Sequence, residues 1–482
     1  MSAFARRRRV VVQLWSWLVH GKLGHVGLYL ALRRSFSYGK YLAANPDVAA
    51  AGRHPLLHYI EHGVRENRPL EPPRTTVDAP ATSTADEVRR RVKAGPEFEE
   101  FDPQIAADSP PRAKLLAYYL PQFHPIPEND EWWGTGFTEW SNVVRGVPRF
   151  AGHYQPRVPR DLGFYDLGKP ETLARQVDLA RAAGIHGFSF YYYWFHGKRL
   201  LERPLERFLG DSSIDFPFCL MWANENWTRR WDGQDEEILI GQTYDPAQDS
   251  ALVDDLQRHF ADPRYIRLQG RPLLLLYRVD CIPDAADRIA RWRELWLSRH
   301  GEEPLIFMAQ GFGHMDPRTF GLDGAFEFPP HKVVRGLPGI NSQLTALDPT
   351  FEGHVIAYSD VVDRALSERA PEYPLVRTAT PSWDNDARRQ GSAGQITLHG
   401  SSPAAYERWL RELVDRAMEH SVFGEPLVFV NAWNEWAEAA YLEPDIHYGA
   451  AYLNATARAL CVPPPAEDPV DGVEVGDSVA LP

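Results

Sequence analysis

Pro426-Leu427-Val428-Phe429-Val430-Asn431-Ala432-Trp433-Asn434-Glu435-Trp436-Ala437-Glu438 joins a short apolar run to a cluster of indoles and carboxylates. The first five residues have the continuous apolar character of a strand buried on both faces of a parallel sheet. The polar cluster begins where that strand ends, the place where barrel and open α/β enzymes keep their chemistry. If the chain turns helically there, Glu435 and Glu438 share a face about 5–6 Å apart. That approaches the roughly 5–5.5 Å between the two carboxyls of retaining glycosidases. A solvated helix N-terminus also favours glutamate, and for one Glu pair alone it is the better explanation. Trp433 and Trp436, three residues apart, and the strand-end position turn the balance toward chemistry on a sugar ring.

Working outward, seven more strand candidates precede this one: Lys114–Leu120, Gly187–Trp194, Phe216–Ala223, Pro272–Val279, Pro304–Gln310, Gly324–Phe328 and Tyr373–Thr380. Helical patterns fall between them. They are clearest over Pro170–Ala183, which opens on proline and stops at Gly184, and over Asp284–Ser298 and Pro403–His420. Eight strands with interleaved helices predict an α/β fold of the (β/α)8 barrel type with enlarged loops. A doubly wound sheet would instead carry a Gly-rich phosphate loop after its first strand. Here that strand runs into Pro121-Gln122-Phe123-His124-Pro125, and neither a GxGxxG nor a Walker motif occurs.

In a barrel the C-terminal strand ends share one mouth, so their residues are read together. The first strand brings Tyr118, Tyr119, Gln122 and His124, followed by a loop with Trp133, Glu139 and Trp140. The second ends Tyr191-Tyr192-Tyr193-Trp194-Phe195-His196, of which Tyr193, Trp194 and His196 are the site candidates, and the third Trp222-Ala223-Asn224-Glu225-Asn226-Trp227. Tyr277 and Arg278, Gln310, Glu327 and Trp383 end strands four to seven; Asn431, Trp433, Asn434 and Trp436 accompany the carboxylates of strand eight. Hydroxyl-binding groups thus alternate with stacking surfaces, as a saccharide site requires. Glycoside chemistry needs one acid for the leaving oxygen and a second carboxylate for the nucleophile. Indoles beside a carboxyl desolvate it and raise its pKa, which suits it to the acid role. Glu435, between Trp433 and Trp436, and Glu438 are the leading pair, and Glu225, also between tryptophans, is the third candidate.

The bulk numbers set limits. A net charge of −13 over 482 residues argues against nucleic acid as main partner. Cys219, Cys281 and Cys461 lie far apart without metal-ligand spacing, so neither a disulfide framework nor a zinc site is expected and a reducing, cytoplasmic home is. No cofactor or metal is called for. Residues 1–37 form a basic segment, with Arg6–Arg9 ahead of an apolar stretch broken by Gln13, Ser16, His20, Lys22 and His25. Those polar residues oppose a transmembrane span. An ordinary packed helix and an amphipathic helix on the inner membrane's anionic surface are the two readings left. Residues 38–70 form a small helical module, residues 71–111 read as a flexible linker, 112–461 as the barrel and 462–482 as a disordered tail. His54, His58 and His62 in the module have helical spacing, but packing and capping explain them better than a metal.

Two resemblances follow from these motifs. Residues 38–69, with Tyr41-Leu42-Ala43-Ala44-Asn45-Pro46-Asp47-Val48, resemble a helical module appended to bacterial surface-polysaccharide enzymes. The barrel resembles the WbsX family, labelled glycosyltransferases or lipopolysaccharide-biosynthesis proteins and related to glycoside hydrolase family 99. The likeness rests on Tyr118-Tyr119-Leu120-Pro121-Gln122-Phe123-His124, Trp133-Gly134-Thr135-Gly136-Phe137-Thr138-Glu139-Trp140, Trp222–Trp227 and Asn431–Glu438. It implies a metal-free retaining barrel enzyme acting on an α-linked bacterial O-antigen, lipopolysaccharide or capsule. In family 99, Glu435 would match the carboxylate that helps the substrate's 2-hydroxyl attack the anomeric carbon, and Glu438 the general acid/base. The chain departs from that family at Ala437 and Ala439-Ala440-Tyr441, where mannose specificity would be read. Two alternatives stand beside it: a glycosyltransferase using a nucleotide sugar, for which Asp384-Asn385-Asp386 supplies an Asp-x-Asp motif, and a catalytically silent glycan-binding protein.

Overall fold

In a computed structural model of the chain, which describes residues 12–33, 36–51, 53–66, 68–70, 82–229 and 234–461, all eight strand candidates are strands of one parallel sheet. They are β1 (Lys114–Tyr119), β2 (Gly187–Phe195), β3 (Phe218–Trp222), β4 (Arg271–Leu276), β5 (Leu305–Gln310), β6 (Gly324–Glu327), β7 (Leu375–Val376 and Thr378–Ala379) and β8 (Leu427–Val430). Each pairs with the next in chain order. β7 joins β6 through its first half and β8 through its second, and β8 returns to β1 with Lys114 opposite Leu427. The sheet closes on itself as the expected (β/α)8 barrel. The helices Pro170–Ala182, Ala285–His300 and Pro403–Glu419 lie where helical periodicity predicts them, within two residues at each end.

Closure buries the strands on both faces, which is why they read as unbroken apolar runs. Inside, Tyr118 stacks on Phe328 at 5.2 Å and meets Phe429 at 5.3 Å. Outside, Trp292 and Trp296 of the helix Ala285–His300 are fully buried. Successive strand residues therefore serve different masters: one faces the barrel interior and the next the helices.

Two compact units make up the chain, Met1–Ala81 and Thr82–Pro482. The first contains the helical module. His54 accepts a bond from the Leu57 amide as a helix cap, and His58 Nδ1 lies 3.0 Å from the Tyr41 hydroxyl, so these histidines cap and pack. The boundary expected at residue 37 divides one small core. Trp17, ahead of it, is buried with Leu56, Leu57 and Ile60 behind it, and Val26, Tyr29 and Phe36 pack alongside.

The expected linker needs a larger correction. Residues 71–81 lie outside those described, as do residues 1–11 and the tail from 462. Residues 82–111, however, are folded onto the barrel. Ser83 and Asp86 form a reciprocal capping box that starts the helix Thr84–Arg91. Arg91 Nη1 reaches His447 Nε2 at 3.1 Å, and Glu99 accepts bonds from Asn454 (2.8 Å) and Arg458 (3.0 Å). The charges that made this stretch look solvated are its attachment points.

Candidate active site

Strand eight delivers the opening motif as a hairpin rather than a helix. Asn434 and Glu435 pair antiparallel with Tyr441 and Ala440, and Trp436–Glu438 make a single 3-10 turn between them. Ala439 closes the turn at φ 55°, a left-handed position for a residue small enough to accept it. Asn434 pins the hairpin to the end of β1: its side chain accepts from the Leu120 amide (2.8 Å) and donates to the Leu120 carbonyl (2.9 Å).

Arg388 gathers the carboxylates. It lies on the short helix Asp386–Arg389 after β7. Its Nε donates to Glu139 Oε1 at 2.7 Å, Nη1 to Glu438 Oε1 at 2.6 Å and Nη2 to Glu435 Oε2 at 3.2 Å. The rigid guanidinium fork can satisfy three acceptors at once, which a lysine cannot do in one plane. Glu139 and Glu435 are almost wholly buried, so the arginine offsets charges that water does not reach. Burial, and then the neighbouring Glu438, push the Glu435 carboxyl up to about 8 against the pull of Arg388. Burial therefore favours the protonated form of Glu435.

The same loop settles what Asp384 and Asp386 do. Asp384 is buried, bonded to His153 and Gln155 (both 2.7 Å) and to Thr397 (3.0 Å). His153 and Arg157 hold its carboxyl below the ordinary range despite burial. Asp386 is bonded to Arg149 (2.8 Å) and to the Val147 amide (3.0 Å), and burial and Asp384 raise its carboxyl. Both aspartates are spent on anchoring the loop that presents Arg388. They do not face the cavity as an open Asp-x-Asp pair.

A cavity of about 400 Å³ opens over Arg388 at the C-terminal mouth of the barrel. Of the residues singled out from sequence, Gln122, Trp133, Tyr193, Glu225, Asn226, Trp227, Tyr277, Arg278, Trp383, Glu435 and Glu438 line it. Trp227 meets Tyr193 edge-on at 5.2 Å, and Arg278 Nη1 holds Glu225 at 3.0 Å. Gln122 Nε2 is buried with no hydrogen-bond partner among the described residues, a donor suited to a hydroxyl acceptor. Aromatic faces and convergent polar groups in a space this size match a site for a few sugar rings.

The remaining expected site residues lie elsewhere, three of them for a common reason. Strand alternation turns Tyr119, Trp194 and Trp222 away from the mouth. Tyr119 donates to Gln176 on the helix Pro170–Ala182 (2.7 Å), and Trp222 Nε1 donates to the Trp194 carbonyl (3.3 Å). Asn224 braces the loop, bonded to the Tyr244 hydroxyl and to both backbone groups of Arg278. Glu327 pairs with Arg377 (2.9 Å) and Lys332 (3.4 Å). His124 is fully buried, which lowers its pKa to about 4, and His196 is exposed on a hairpin, 2.9 Å from the Thr243 hydroxyl. Asn431 donates to the Pro329 carbonyl (2.7 Å). Trp433 packs on Phe188, Trp140 donates to the Tyr165 carbonyl (2.7 Å), and Trp436 stacks on Tyr441 at 3.7 Å. Glu139 stays outside the cavity lining but touches Arg388.

Arg388 and Glu443 were missed, and Tyr191 was read at a strand end without being assigned to the site. Tyr191, two positions before Tyr193, lines the cavity and its hydroxyl favours the charged form of Glu435; a period-two reading of Tyr191-Tyr192-Tyr193 would have found it. Glu443 lies behind the hairpin and accepts from Trp436 Nε1 (2.6 Å), Gln176 (2.6 Å) and the Tyr165 hydroxyl (2.9 Å). Burial raises its carboxyl to about 7. It fixes the indole that precedes the Glu438 turn.

Known proteins align with the barrel. The chain is 45% identical over 349 residues to the uncharacterized protein WxcX of Xanthomonas campestris pv. campestris, in strain B100 and in strain ATCC 33913. That match covers 72% of this chain and 50% of the relative, so the chain spans about half the length of the curated relatives it matches. Among solved structures, a glycoside hydrolase-like protein superimposes with a TM-score of 0.48 at 14% identity, covering 78% of this chain and 99% of that one. The GH99 endo-alpha-mannosidase from Bacteroides thetaiotaomicron gives 0.45 at 14%, covering 72% and 96%. Residues 115–456 match the family model described as Glycosyltransferase WbsX, and the chain belongs to that family.

Proposed function

We propose that the protein cleaves or transfers an α-glycosidic linkage of a bacterial surface polysaccharide, with retention, through Glu435 and Glu438. Membership of the WbsX family makes it a carbohydrate-active protein. The observation that carries the finer reading is the fork of Arg388 on Glu435, Glu438 and Glu139 beneath an aromatic cavity. Retention divides the work into two steps. In the first, one carboxyl gives its proton to the glycosidic oxygen as the bond to the anomeric carbon breaks. The other takes the proton of the sugar's 2-hydroxyl, whose oxygen closes onto that carbon. In the second, water or an acceptor hydroxyl attacks the anomeric carbon and gives its proton to the first carboxylate, while the C1–O2 bond breaks and the second carboxyl returns the proton to O2.

The raised carboxyl of Glu435 suits it to the donor step, whereas the resemblance to family 99 gives that step to Glu438. Both variants, Glu435→Gln and Glu438→Gln, are expected to lose release of new reducing ends from α-linked surface polysaccharides, measured without any nucleotide sugar. An aryl glycoside with an acidic leaving group needs no acid. It should restore turnover to the variant of the donor alone, and the buried, raised carboxyl of Glu435 points to Glu435→Gln. Turnover that appears in wild type with a nucleotide-sugar donor and not without one would replace this reading by the transferase that the family's name describes. With Asp384 and Asp386 both buried in ion pairs, that transferase would work without the Asp-x-Asp motif.

A further inference from the structure

Charge is distributed unevenly along the chain. Residues 1–46 contain Arg6–Arg9, Lys22, Arg33, Arg34 and Lys40 and no acid. A net charge of −13 for the whole therefore leaves −21 on the rest.

The helix of residues 12–19 adds a second asymmetry. One side docks on the helical module: Trp17 is 1% exposed, and Gln13 and Trp17 both donate to Glu61 Oε1, at 2.6 and 3.1 Å. That contact fixes the rotation of the helix. About 180° away at 100° per residue lie Val12, Trp15 and Val19, flanked by Leu18. These four are 61%, 68%, 64% and 50% exposed. A helix on a soluble protein turns polar residues to that side. Leu23 and Leu30 of the next helix, Leu23–Leu32, are also exposed, at 67% and 52%.

We propose that this N-terminal segment is a membrane-surface anchor. Val12, Trp15, Leu18 and Val19 enter the headgroup layer of an anionic bilayer, and the arginine run and Lys22 supply attraction to its charge. Among the described residues no helix is long and apolar enough to cross a membrane, so the segment lies on the surface. Tryptophan is the residue type that settles at the headgroup level, and basic residues bordering an apolar helix are the means of holding anionic lipid. A second copy of the chain, docked face to face, would set the same positive charges against each other. This inference stands apart from the reaction proposed above.

The test is flotation of the full chain with vesicles of phosphatidylcholine, alone or with about 30 mol% phosphatidylglycerol. Binding is expected to the anionic vesicles and to weaken in high salt. The combined variant Trp15→Ser, Leu18→Ser, Val19→Ser is expected to bind at least about tenfold less, the loss of the apolar contribution to interfacial binding. These side chains are exposed, so helix content by circular dichroism should be unchanged. Replacement of Arg6–Arg9 by glutamine should weaken binding without touching any described contact. Absence of binding to anionic vesicles, or equal binding by the Ser variant, overturns the proposal. So does a wild-type dimer in light scattering that the Ser variant converts to monomer, which would assign the face to a second copy.

Discussion

Arg388 determines how Glu139, Glu435 and Glu438 coexist out of water. Three carboxylates around one guanidinium leave an excess of negative charge, which raises the Glu435 carboxyl further above its burial-driven shift. The linkage has a definite sign. Glu435 binds its proton more tightly in the folded chain than unfolded, so between an unfolded pKa of about 4.3 and the folded value of about 8 the native state holds the extra proton. Stability from this group is fully present below the unfolded pKa and is lost as pH rises through the folded one. The difference in melting temperature between wild type and Glu435→Gln should therefore shrink or reverse from pH 5 to pH 8.5, measured by calorimetry. Arg388→Met strips the pair of its cation. Removing one partner of a buried ion pair costs about 3–5 kcal/mol, so a lower melting temperature and loss of turnover should coincide in that variant. The Glu pair was legible in sequence because carboxylates among indoles at a strand end are unusual together. Arg388 was not, since an arginine after Asp-x-Asp looks like surface charge until closure of the barrel sets it against residue 139, almost 250 positions earlier.

At the level of the element, the parity of β2 separates binding from packing. Tyr191 and Tyr193 line the cavity, while Tyr192 points to the helices and donates to Asp255. Tyr193→Phe should lower kcat/KM by about tenfold, the equivalent of one hydrogen bond near 1.4 kcal/mol, with the melting temperature nearly unchanged. Tyr192→Phe should do the reverse, lowering stability and sparing kinetics. Steady-state rates and thermal melts on the two variants decide the matter. Strand positions were readable because burial on both faces gives continuous apolar runs. Which side each residue faces was not read from those runs: in Phe188–Phe195 a single small polar residue, Ser189, is too little alternation to mark the interior without a residue already placed at the mouth. That is why Tyr119, Trp194 and Trp222 were expected at the mouth and belong to the helix layer. The hairpin at Glu435 escaped for another reason. A Trp-Ala-Glu turn with a left-handed Ala439 has no Gly or Asn to announce it.

Across the whole molecule, composition misled at residues 82–111. Proline, threonine and charge are the signature of a solvated linker, yet here Arg91 and Glu99 bond to residues more than 350 positions away. Long-range pairing of that kind leaves no local trace in sequence. The barrel itself was legible because the number, order and spacing of its strands are properties of the full chain rather than of any one segment. Every role proposed for the barrel mouth depends on a retaining reaction on an α-glycoside. The measurement that tests this is the proton NMR spectrum of an α-linked surface oligosaccharide during the first minutes of turnover, which reports the anomer formed before mutarotation. The α-anomer appearing first, and its absence with Glu438→Gln, is the expected result. First formation of the β-anomer, or wild type that leaves the oligosaccharide intact while binding it, would contradict it.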